Sequence, residues 1–142
     1  MNLIDKLVAL LEEEKILPLS EETWCKFKLK HLCPKSDEEK NEQFSFIKDQ
    51  VNKKAGIYIY VKDGELLYIG KAKLLYDRIK SHYIECFSSV PGDTRDMRWH
   101  RFFSQNQGVV EIYWKEFETE DERKVVEILL TKILNPAFLS FK

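Results

Sequence analysis

Apolar residues follow two different periods along this chain. Leu3, Ile4, Leu7, Val8 and Leu11 recur at helical spacing, with Glu12 to Glu14 off that stripe. The spacing predicts an opening helix closed by Pro18. Ser20 offers an N-cap ahead of Glu21 and Glu22, where the helix dipole favours negative charge. A second helix is predicted there, carrying Trp24, Phe27 and His31 and ending at Pro34. Ser36 and Glu39 form a capping box for a third, with Phe44, Ile47 and Val51 on its apolar side.

From Lys53 the period shortens. Residues 55–61 alternate and are rich in β-branched and aromatic types, Lys62-Asp63-Gly64 is a turn, and Leu66 to Gly70 read as the returning strand. Leu75, Ile79 and Tyr83 then mark a helix over residues 72–85. Pro91-Gly92-Asp93 opens an irregular or partly helical connection through Trp99 to Phe103. Val109 to Lys115 is a third strand, with Val109, Ile112 and Trp114 as candidates for burial. Thr119 and Glu122 cap a last helix that runs to about Leu134 and stops at Asn135-Pro136. The expected fold is α+β: a small three-stranded antiparallel sheet flanked by helices. Residues 1–52 form a helical N-terminal extension and residues 53–142 the body.

The hairpin register decides which side chains meet. A two-residue loop at Asp63-Gly64 pairs Lys62 with Glu65, and therefore Tyr58 with Ile69. A three-residue loop pairs Val61 with Glu65 and Tyr58 with Tyr68. Only the second keeps Ile57, Ile59, Val61, Leu67 and Ile69 on one face, with Gly56, Tyr58, Tyr60, Leu66, Tyr68 and Gly70 on the other. That register is the expectation. It sets two tyrosine hydroxyls side by side with glycines that leave room for a ligand. A tyrosine-rich strand pair covering a helix is the plain alternative.

Composition narrows the class. With 142 residues, 44% hydrophobic and 33% charged, the chain can bury a core without disulfides. No apolar run is long enough to span a bilayer and no signal peptide is visible, so a cytoplasmic location is expected. Cys25, Cys33 and Cys86 are an odd set, read as free thiols. Cys25, His31 and Cys33 lack the second pair that a zinc site needs. The net charge of −1 hides an uneven distribution. Residues 1–50 carry eight basic and eleven acidic side chains, residues 51–101 ten and six, residues 102–142 five and seven. The basic middle could hold a phosphate backbone, although solvated charge reads the same way.

Two helices carry candidate chemistry. Arg78 and His82 are four apart and share a face, with Lys71 and Lys73 at the helix start and Lys80 nearby. Arginine suits phosphate because its planar fork donates two hydrogen bonds. Glu127 interrupts the run Val125-Val126-Glu127-Ile128-Leu129-Leu130 and falls beside the stripe of Val126, Leu129, Leu130 and Ile133. A carboxylate there needs a cation, either a metal or a neighbour such as Arg123 or Lys124.

Gly56-Ile57-Tyr58, a nine-residue interval and Tyr68-Ile69-Gly70 resemble the two-part signature of the GIY-YIG nuclease superfamily. The continuation Gly70-Lys71-Ala72-Lys73 with Arg78 resembles nuclease domains of bacterial excision-repair endonucleases. Arg78 followed by His82 resembles family homing and restriction endonucleases. The resemblance covers about residues 54–139. It implies a DNA endonuclease that hydrolyses phosphodiester bonds with one divalent cation, Mg²⁺ or Mn²⁺. Glu127 would hold the metal, and Tyr58 or Tyr68 would orient or deprotonate the attacking water. Arg78 would stabilise charge on the phosphate, and His82 would assist by hydrogen bonding. Lys71, Lys73, Lys80, Arg95 and Arg98 are the expected DNA contacts, and DNA repair is one role implied. Leu139 stands where many members have asparagine. Two alternatives remain: a non-catalytic binding module on the same fold, or a function carried by the N-terminal helices.

Overall fold

The computed structural model describes residues 2–88 and 97–138, with residues 97–100 as backbone alone. The elements in order are α1 (Leu3–Glu13), β1 (Cys25–His31), α2 (Asp37–Val51), β2 (Gly56–Lys62) and β3 (Glu65–Ala72). They continue with α3 (Leu75–Phe87), α4 (Met97–Gln105), β4 (Gly108–Glu116) and α5 (Glu120–Leu134). The strands form one antiparallel sheet in the order β1-β4-β2-β3.

Period-two alternation gives the sheet two apolar faces, and each recruits its own helices. Ile57, Ile59 and Ile69 pack with Leu11 of α1, Val126 and Leu130 of α5, and Trp24. Tyr58, Tyr60, Leu67, Tyr68, Phe27 and Leu29 pack with α2 (Ile47, Val51), α3 (Leu75, Ile79, Tyr83) and Phe103 of α4. Burying an aliphatic or aromatic side chain of this size stabilises by about 1.5–3 kcal/mol. The result is three layers, helices over sheet over helices.

The caps behave as their residue types dictate. The Ser36 hydroxyl accepts from the Glu39 N–H at 3.1 Å, and Thr119 and Glu122 complete a reciprocal capping box. Asn135 closes α5 in the left-handed conformation at φ 53°.

Four sequence expectations are corrected. Residues 25–31 are a strand rather than a helix. Phe27 and His31 are four apart, a separation that helical and strand periods share in phase, whereas Leu29 between them is also buried. Phe27, Leu29 and His31 point inward and the lysines between them outward, and the strand pairs from Cys25↔Trp114 to His31↔Gly108. The sheet therefore has four strands, not three.

The hairpin uses the two-residue loop. Asp63 and Gly64 both have positive φ, 50° and 79°, as a type I′ turn requires. Pairing runs Lys62↔Glu65 and Val61↔Leu66, then shifts by one to Tyr60↔Tyr68, Ile59↔Ile69 and Tyr58↔Gly70. Leu67 is the extra residue of a bulge, which restores the faces by a route the three-residue loop does not use. Leu66 joins the isoleucine face and Leu67 the tyrosine face, the reverse of the expected assignment.

Candidate active site

The shifted register places Gly70 opposite Tyr58. A Cβ at Gly70 would collide with the Tyr58 phenol, which lies across the glycine. The ring is thereby directed towards α3, where the Tyr58 Oη and His82 Nε2 are 2.6 Å apart. Tyr68 completes the group, its ring 5.7 Å from Tyr58 and 5.4 Å from His82. All three are buried, with exposures of 0%, 1% and 0% for Tyr58, Tyr68 and His82.

Burial sets their protonation. Removal from water pushes the Tyr58 phenol well above its ordinary value; the nearby Arg78 cation pulls it partly back. Burial, reinforced by Arg78, holds His82 well below the usual histidine range. Tyr58 is therefore a phenol and His82 a neutral imidazole at neutral pH. In the tautomer with its proton on Nδ1, His82 accepts the Tyr58 hydroxyl at Nε2; in the other, Nε2–H donates to the Tyr58 oxygen.

Glu127 sits on α5, on the other side of the sheet, yet it belongs to the same electrostatic neighbourhood. It is 7% exposed; desolvation raises its carboxyl, while Lys71, Arg78 and a hydrogen bond from the Lys71 backbone pull it down. Arg123 donates to the Phe117 and Glu118 carbonyls at 2.9 and 2.8 Å, and Lys124 pairs with Glu120 at 3.2 Å. The two neighbours that could have neutralised Glu127 locally are engaged elsewhere.

Arg78 is exposed and borders an open depression lined by Lys71, Lys73, Leu74, Asp77 and Ser81. The depression adjoins the interior group through Arg78, which acts on Tyr58, His82 and Glu127 together. Lys80 lies elsewhere: its Nζ is over the Phe44 ring at 4.5 Å, on the side of α3 that faces α2. Arg95, the side chain of Arg98 and Leu139 fall outside the described residues. Arg101 is exposed on α4. Asn135 is exposed and spent as a helix cap.

Two members of the cluster were not among the expected site residues. Tyr60 lies 5.9 Å from both Tyr58 and His82, and its alternation with Tyr58 was the signal available. Phe103 stacks on His82 at 4.3 Å and 22°, and nothing local in the sequence pointed to it. His31 is buried against Tyr60 and Phe103, while Cys25 and Cys33 are exposed. Among the described residues no three His, Cys, Asp or Glu side chains form a metal-holding group. Among them, too, no helix is long and apolar enough to cross a membrane.

The hairpin thus brings Tyr58 and Tyr68 against His82 of α3, with Arg78 on the same helix and Glu127 reaching the same neighbourhood from α5. Residues 54–136 match the family model of the GIY-YIG catalytic domain, and the chain belongs to that family of nucleases. It is 34% identical over 90 residues to UvrABC system protein C of Aliarcobacter butzleri (strain RM4018), covering 63% of this chain and 14% of that protein. The chain thus spans about one seventh of that relative's length. Among solved structures, bacteriophage T4 EndoII aligns with 91% of this chain and 98% of its own at 20% identity and a TM-score of 0.50. The GIY-YIG N-terminal endonuclease domain of UvrC from Thermotoga maritima, in a form bound to its catalytic divalent cation, aligns over 68% and 97% at 21% identity and a TM-score of 0.46.

Proposed function

We propose that this protein is a divalent-metal-dependent DNA endonuclease, specific for a DNA structure or sequence, with damaged or branched DNA among its candidate substrates. The observation that carries the reading is the 2.6 Å contact between the Tyr58 hydroxyl and a neutral His82, beside Arg78 and Glu127.

The residues present fit a hard cation. Glu127 offers one carboxylate in a partly dry setting, and waters and a substrate phosphate would supply the remaining ligands of Mg²⁺ or Mn²⁺. Such an ion, held by Glu127, would supply positive charge to the phosphate oxygens and acidify a water. Arg78 reaches the phosphate from the open depression and stabilises charge that grows during attack. Tyr58 orients the attacking water. As the water gives its proton to the Tyr58 oxygen, the Tyr58 hydroxyl proton passes to His82 Nε2. Burial is the main cause of the depressed His82 and persists; a phosphate bound at Arg78 offsets the smaller part that the arginine contributes, which makes the imidazole a somewhat better base when substrate is present. Lys71 and Lys73 hold the flanking backbone.

The test is cleavage of duplex, single-stranded and branched DNA with Mg²⁺ or Mn²⁺, comparing wild type with Glu127→Ala and Arg78→Ala. Cutting by wild type alone is expected. Equal cutting by Glu127→Ala overturns the metal assignment. Binding without cutting on every substrate favours a non-catalytic module.

A further inference from the structure

His82 must hold one ring orientation for Nε2 to meet the Tyr58 hydroxyl. A hydrogen bond at one corner chooses which nitrogen faces Tyr58, but leaves the plane of the ring free to tilt. The plane is set by Phe103, whose ring lies nearly parallel to the imidazole at 4.3 Å and 22°. Phe103 is 1% exposed. It is wedged edge-on between Tyr60 at 5.5 Å, Tyr68 at 5.8 Å and His31 at 5.4 Å. His31 lies on β1, outside residues 54–136, and meets the Phe103 ring edge-on at 64°.

We infer that Phe103 is a positioning residue for His82, and that His31 makes β1 part of the active centre by packing against Phe103. The kinetic part of this inference rests on the nuclease reading; the structural part does not. Phe103 keeps the imidazole plane aligned with the Tyr58 hydroxyl and covers it from water. The ionisable groups that face His82 are Tyr58 and Tyr60 on β2, Tyr68 on β3, Arg78 on its own helix and His31 on β1. Phe103 is the member of this shell that carries no proton, so replacing it alters geometry and solvation without adding a charge. A stacked pair of this kind biases ring orientation by up to about tenfold.

The experiment compares Phe103→Leu, His31→Ala, His31→Phe and a control, Val110→Ala, which truncates the same core on β4. Cleavage gives kcat and KM; imidazole ¹⁵N resonances of the DNA-free protein give the tautomer of His82. Phe103→Leu is expected to lower kcat about tenfold with KM within about twofold; the tilted ring weakens the Tyr58 hydrogen bond that fixes the tautomer, so His82 passes from one tautomer to an averaged signal. His31→Ala shows the same in weaker form, and His31→Phe restores both readouts. Val110→Ala lowers stability but leaves kcat and the His82 signal unchanged. An unchanged His82 signal in Phe103→Leu and His31→Ala overturns the inference, as does a Val110→Ala variant that reproduces them. If Phe103→Leu does not fold, the two His31 variants decide. A wild type that cuts no DNA defeats the nuclease reading, and the ¹⁵N comparison still decides the positioning role.

Discussion

The two faces of the sheet are buried equally and built from different chemistry. Ile57, Ile59 and Ile69 are 0–1% exposed and meet the aliphatic side chains of α1 and α5. Tyr58, Tyr60 and Tyr68 are buried as completely, but they carry hydroxyls inward to meet two imidazoles. The hydroxyls of Tyr60 and Tyr83 and both ring nitrogens of His31 have no hydrogen-bond partner. Each such group costs about 1–3 kcal/mol relative to a paired one. One face is therefore optimised for stability and the other surrenders stability to keep polar groups dry. Dryness is what makes His82 neutral, so the costly face is where chemistry is to be expected; Glu127, desolvated on α5, is the one polar group that the aliphatic side contributes to the same neighbourhood.

The strongest way to break this contrast is at Glu127. Glu127→Ala is expected to lower single-turnover cleavage by about a thousandfold or more. The melting temperature should stay level or rise, because a desolvated carboxylate is removed from beside an apolar stripe. A large loss of stability would mean that the carboxylate serves the fold.

A paired substitution on adjacent residues of β2 sharpens the same point. Tyr58→Phe removes one oxygen and the buried bond to His82, and is expected to cost about a hundredfold in kcat and about 1–3 kcal/mol of stability. Ile59→Ala should lower stability by about 2–5 kcal/mol while the folded fraction cuts at the wild-type rate. Steady-state kinetics and urea denaturation on both variants check it. If the two variants lose activity and stability in equal proportion, the faces do not divide the work.

Most of this division was legible in the sequence. The alternation of Ile57, Ile59 and Ile69 against Tyr58, Tyr60 and Tyr68 is local, and so are the caps at Ser36 and Thr119. Tyr58, Tyr68, Arg78, His82 and Glu127 could be named because strand and helix periods, together with the family signature, fix their spacing. What escaped depends on tertiary contact. Residues 25–31 became a strand because β4 offers an edge to pair with, and no window of the sequence contains both. The bulge at Leu67 reflects a compromise between a type I′ turn and two buried faces, where the sequence weighed the turn and the faces separately. Phe103 reaches His82 only once α4 folds against α3. Lys80 looked like a companion of Arg78, but at about 100° per residue the two point to opposite sides of α3.

The buried histidines also make the polar face sensitive to acid. Burial holds His31 down to about 3, so above pH 6.5 it is neutral whether folded or not and contributes nothing. As pH falls below 6.5, the unfolded chain takes up a proton that the folded chain refuses until about 3. Stability then drops by about 1.4 kcal/mol per pH unit from this residue, or about 2 kcal/mol at pH 5. His82 acts with the same sign. Urea midpoints at pH 7 and pH 5 should therefore converge in His31→Phe relative to wild type. An identical acid shift in both proteins would remove His31 from the account.

The smallest effects are expected at the lysines of α3 and its approach. Lys73 lines the depression beside Arg78, whereas Lys80 lies over Phe44 and Tyr76. Lys73→Ala should raise KM by about two- to fivefold and reduce the slope of log affinity against log salt by about one, the signature of one lost phosphate contact. Lys80→Ala should leave that slope unchanged and cost only about 0.5–1 kcal/mol of stability from the lost ring contacts. Binding isotherms for a duplex oligonucleotide at several salt concentrations separate the two. Equal slopes in the two variants would place the DNA path across both sides of α3, and the open depression would no longer mark where the backbone runs.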